Sequence, residues 1–214
     1  MSKLFSPDSP AMEALSRLWD LIMLNLLYFF TCIPIVTIGA ATTALYDVCF
    51  RLREERDHGL LRQYFRAFSG NFKQATIVWV VLLALFADII WAIFLALAQV
   101  GVLRIVALPA IVMLAVLAMT GSYIFPLISR FSSKTLLLVK NAVILSIAYL
   151  PRSLLMAVLN CFPIFLLVAY PGDFLYLGFF WFTFYFSATA YFHCYLLKKV
   201  FEPYLDDAKE DEEA

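Results

Sequence analysis

Apolar residues run along this chain in long blocks, separated by short polar stretches that carry nearly all of the charge. The first block, from about Pro10 to Thr31, predicts a helix, with Ser9 as N-cap and Pro10 at the first helical position. Its 22 residues, at ~1.5 Å each, reach ~33 Å, enough to cross the hydrocarbon layer of a bilayer. The block breaks at Cys32-Ile33-Pro34, because Pro34 removes a backbone donor and pushes Ile33 out of the helical region. A second helix returns from about Thr37 to Glu55. Gly39, Ala40, Ala41 and Ala44 give it a small face of the kind that lets helix backbones approach closely in lipid.

Four more spans are predicted at about 75–98, 102–129, 151–170 and 174–197, with prolines at 109, 126 and 163 expected to kink their helices. Gln99-Val100-Gly101 and Pro171-Gly172-Asp173 read as turns. Leu60–Phe72 differs in kind. Its apolar residues fall at 60, 61, 64, 65, 68 and 72, with Arg62 and Arg66 on the other face and Lys73 following. That spacing predicts a basic amphipathic helix lying in the membrane interface. RFSSKTLLLVKN, residues 130–141, reads as a second basic, partly amphipathic connection, and the acidic tail 201–214 as disordered. The expectation is therefore a single all-α membrane domain, 1–200, of six spans. The count falls to five if the short second helix re-enters rather than crosses.

Composition agrees: 64% of the residues are hydrophobic and 15% charged, against about 45–50% and about 25% in an average globular domain. The formal net charge of zero gives a nucleic-acid partner no electrostatic support. Charge also predicts orientation. With six spans, 15 of the 16 Lys and Arg residues fall on one side, and Arg104 alone on the other. The positive-inside rule makes the first side cytoplasmic, with both termini there. The four cysteines lie in or beside apolar segments without metal-site spacing and read as reduced packing residues.

Candidate chemistry is sparse. Asp88 stands near the middle of the 75–98 span with no basic residue within a turn. A carboxylate there costs ~2.5–3.5 kcal/mol, so it must be protonated, paired or facing a wet cavity. Asp47 lies four residues before Arg51 and Asp20 three after Arg17, spacings that helical ion pairs explain. Arg152 is expected to snorkel to headgroups. His193 reads as a packing residue, and the aromatic run from Phe174 to Tyr195 as lipid-facing and interfacial side chains. No nucleophile elbow, phosphate loop, dinucleotide fingerprint or metal-ligand cluster is present, so neither cofactor nor catalytic residues are expected.

NLLYFFTCIPIVTIGAATTALYDV, from Asn25 to Val48, followed by YFRAFSGNFKQATIVW, from Tyr64 to Trp79, resembles the YesL family of bacterial membrane proteins. The resemblance covers roughly Ser9 to Trp79. It implies a small polytopic protein of the bacterial plasma membrane, encoded beside sugar uptake transporters and polysaccharide-degrading enzymes. It carries over no activity and no catalytic residue. The expectation that follows is a non-enzymatic accessory or regulatory protein of a carbohydrate uptake system. It would meet the permease of a sugar ABC transporter through the small face of helix 2, and the membrane surface or a partner through Arg62, Arg66 and Lys73. The alternative is a small secondary transporter or channel using Asp88 as coupling or substrate-binding residue. The sequence leaves the oligomeric state open.

Overall fold

The computed structural model describes residues 10–54, 59–98, 104–105, 107–170, 172 and 174–213. It is an all-α bundle. Its helices are α1 (Pro10–Cys32), α2 (Ile38–Arg53), α3 (Leu60–Ala98), α4 (Ala107–Arg130), α5 (Thr135–Ala148), α6 (Leu150–Ala169), α7 (Phe174–Phe180) and α8 (Phe186–Glu213). A short 3-10 turn, Ile35–Thr37, precedes α2, and a π-helical turn, Trp181–Tyr185, joins α7 to α8. The Ser9 cap, the Gln99-Val100-Gly101 turn, Arg56, and Pro171 and Asp173 of the second turn lie outside the described residues.

The turn between α1 and α2 is built by the P-x-x-T-x-G sequence. Pro34 is extended (φ −77°, ψ 116°), which ends the first helix. Thr37 closes the turn: its backbone N–H donates to Pro34 O at 2.9 Å, and its hydroxyl lies 2.7 Å from Pro34 O and 2.5 Å from Thr31 O. Gly39 then lets α2 meet α3. A Cβ at this position would sit 2.5 Å from both Ala75 O and Trp79 Cβ. Trp79 fixes the contact by donating its indole N–H to Ile35 O at 2.8 Å.

α2 is the central helix. It buries 11 of its 16 residues, whereas α3 buries only 6 of 39. α1, α3, α4 and α8 all pack against it. Around Ala40, Ala44, Val48 and Cys49 the core adds Leu24, Tyr64, Tyr123, Leu138, Met156, Cys194 and Leu197. The outward faces of α3, α4 and α6 are apolar as well, with Trp91, Phe94, Val112 and Phe165 exposed. Burying one face among helices while leaving an equally apolar face outward is the arrangement that lipid, rather than water, stabilises.

Several elements differ from the sequence pattern. Residues 60–72 and 75–98 are one continuous helix rather than an interfacial helix and a separate span. Gly70 has open space around it and costs only ~1 kcal/mol of helix propensity, too little to break a helix of 39 residues. Tyr64 and Ala67 also face the core, so the segment is held by packing. α5 is a helix where the basic residues of 130–141 suggest only a connection. At 14 residues, ~21 Å, it is too short to cross a bilayer alone, and Tyr149 alone separates it from α6. The acidic tail continues α8 as helix to Glu213 rather than being disordered. Pro126 and Pro163 lie inside α4 and α6.

Among the described residues, five helices are long and apolar enough to cross a membrane: Met12–Cys32, Ile35–Arg53, Leu60–Ala98, Ala107–Arg130 and Leu150–Ala169. The second helix qualifies. The stretch 174–197 is divided by the π turn and is not among the five. Both residues flanking that turn, Phe180 and Phe186, have right-handed helical dihedrals, so the backbone runs on through it.

Candidate functional site

The charged residues gather where the C-terminal ends of α2 and α4 meet the first turns of α3. Asp47 of α2 accepts from Arg51 Nε at 2.8 Å, one helical turn on. Glu54, just past α2, pairs with Arg130 at the end of α4. Arg130 also lies over the Phe50 ring, 4.7 Å from its centroid. Arg53 is clasped between Tyr191 and Tyr195 of α8, at 5.0 and 5.1 Å. Guanidinium groups stacked on aromatic faces in a desolvated setting gain up to about 2 kcal/mol. The Nε atoms of both Arg53 and Arg130 are buried without a hydrogen-bond partner among the described residues.

Two cavities open among these groups. The larger, about 310 Å³, is mainly polar and is lined by Asp47, Arg51, Gln63, Arg66, Asn71 and Arg130 together with Ser129 and Ser132. The smaller, about 100 Å³, lies between Arg53, Glu54, Arg130 and Lys198. Such a concentration of donors in a partly enclosed, low-dielectric space suits an anion or a hydroxylated solute. Among the described residues, no three His, Cys, Asp or Glu side chains gather as a metal site would require.

Asp88 is elsewhere. It lies exposed on the outer face of α3, beside exposed Leu85, Ile90 and Trp91. The side chain points away from the bundle interior. At ~1.5 Å per residue it stands ~22 Å along α3 from Lys73.

The small face of α2 is not available to a partner. Ala40, Ala41 and Ala44 are fully buried, and Gly39 is pressed against α3. The expectation that this face docks another protein is corrected: its tight approach is spent within the chain. Arg62, Arg66 and Lys73 are all exposed on α3, and of the three Arg66 also lines the polar cavity. Arg152 folds over Tyr149, 5.4 Å from the ring centroid. Cys49 and Cys194 are buried, Cys161 is exposed, Cys32 is intermediate, and all four are free thiols.

Two buried polar contacts were not legible in the sequence. Tyr46 OH lies 2.8 Å from His193 Nδ1 in the core between α2 and α8, and His193 Nε2 is buried without a partner among the described residues. Asn25, also fully buried, serves the π turn: its Nδ2 donates to Trp181 O at 2.9 Å and Phe182 O at 2.5 Å, and its Oδ1 accepts from Ser187 N at 3.0 Å. The sequence signal for Asn25 is its polarity within an apolar block, but its partners lie more than 150 residues away. A π turn displaces backbone groups from the regular i→i−4 ladder, and in an apolar setting these need outside partners.

No curated protein and no solved structure matches the chain. A family model described as "Protein of unknown function, DUF624" matches residues 21–93, which takes in the second half of α1, all of α2 and most of α3 and so the stretch on which the bundle is centred.

Proposed function

We propose that the chain is a non-enzymatic accessory or regulatory protein of a carbohydrate uptake system, and that it docks on the membrane-embedded permease through the outer face of α3. The observation that carries docking is Asp88, an exposed carboxylate set in a wall of exposed apolar side chains. Left against lipid it costs ~2.5–3.5 kcal/mol, which a partner helix presenting a cation or hydrogen-bond donor would offset. The carbohydrate setting is what the resemblance to the YesL family implies. Location in the bacterial plasma membrane with both termini cytoplasmic belongs to the same proposal and follows the distribution of Lys and Arg.

The test is a mild-detergent pull-down of the full chain from its native membrane, comparing wild type with Asp88→Leu. The expected result is recovery of a sugar ABC permease with wild type and its loss with the variant, at equal expression. Equal recovery would remove Asp88 from the interface. Sugar uptake by the purified protein alone in liposomes, abolished by Asp88→Asn, would replace the accessory reading with the transporter reading.

A further inference from the structure

We infer that the polar cavity between α2, α3 and α4 is a binding site for a phosphorylated, hydroxyl-bearing ligand. This does not rest on the docking role of Asp88, which lies elsewhere on α3. Among the described residues, the cavity's lining is unbalanced in favour of cations. Of the described residues, three guanidinium groups, from Arg51, Arg66 and Arg130, line it, against one lining carboxylate, Asp47, and Glu54 beside it. Asp47 is engaged by Arg51, and Glu54 by Arg130. Arg66 makes no ion pair or side-chain hydrogen bond among the described residues. Guanidinium groups present forked donors matched to phosphate oxygens. A phosphate here would answer the excess of cations among the described lining residues.

The remaining lining indicates more than bare phosphate. Asn71 uses Nδ2 on Ala67 O, 3.2 Å away, which leaves its Oδ1 as an acceptor. Ser132, in the loop after α4, brings an exposed hydroxyl to the rim. An amide oxygen only accepts, so it suits a ligand hydroxyl rather than a phosphate oxygen, while the serine hydroxyl can donate to either. A volume of about 310 Å³ suits a ligand of sugar-phosphate size. The same chemistry is presented by a soluble sugar phosphate and by a lipid with a phosphorylated, hydroxylated headgroup.

The full chain in phosphatidylcholine nanodiscs is titrated calorimetrically with glucose 6-phosphate, inorganic phosphate and glucose. In parallel, native mass spectrometry compares retention of phosphatidylglycerol and phosphatidylcholine. Arg66→Gln removes the uncommitted cation. Ser132→Leu obstructs the rim without touching an ion pair. Arg62→Gln, exposed on the same helix and outside the cavity lining, controls for surface charge. The expected result is binding of glucose 6-phosphate but not glucose, weakened at least tenfold by Arg66→Gln and Ser132→Leu and unchanged by Arg62→Gln. Selective retention of phosphatidylglycerol without soluble binding, lost in the same two variants, assigns the site to a lipid headgroup. Selection of neither probe, or equal weakening by Arg62→Gln and Arg66→Gln, overturns the inference.

Discussion

Asn25 of α1 holds the backbone N–H of Ser187 at 3.0 Å, a contact across 162 residues of sequence that fixes the first helix against the first turn of α8. With Trp181 O and Phe182 O it completes a three-bond clasp on the π turn. Asn25→Leu removes all three bonds and leaves backbone groups unsatisfied in a dry core. A loss of about 1–3 kcal/mol is expected, read as a lower thermal midpoint in detergent. An unchanged midpoint would mean that the turn finds other partners.

Gly39→Ala tests the α2–α3 contact. The added methyl meets the Ala75 carbonyl, which is backbone and cannot rotate away. A loss of about 1–3 kcal/mol is expected, and more for Gly39→Leu, with both variants inserted but more readily proteolysed. Normal stability together with selective loss of a co-purifying partner would instead place this face at an intermolecular interface.

The continuity of α3 has a ruler. Leu61 and Trp91 are both exposed and lie in one helix, so spin labels there should be about 45 Å apart at 1.5 Å per residue. The labels are introduced in a background without accessible native thiols. A markedly shorter distance would mean that the basic segment bends away to lie in the interface.

Thiol reactivity reads the core. Cys49 and Cys194 are fully buried, so in the native protein they should resist maleimide that labels exposed Cys161. All four should react once the protein is unfolded in hot detergent. Native labelling of Cys49 would indicate that α2 does not hold its central place.

How much was readable in advance depended on how local the cause was. The break at Pro34 follows from a missing N–H, and the return helix from apolar periodicity, so both were visible in the residues themselves. The α6 boundaries, Leu150–Ala169, lie within one residue of the pattern for the same reason. The split at residues 73–74 was not real. A period that repeats over 13 residues marks an amphipathic face but says nothing about whether the next turn continues it. α5 escaped notice because it is apolar nearly all round and too short to resemble a span.

The sequence by itself determined the all-α membrane character, the hairpin turn, the small face, and the collection of basic residues in the connections, because each rests on composition or on residues a few positions apart. The tertiary structure alone decided what those features meet. It turned Gly39 toward Ala75, Asp88 toward the outside, Asn25 onto a π turn, and Arg66 and Arg130 into one cavity. A helix has many faces with similar apolar content, and only packing against particular neighbours selects which of them is buried.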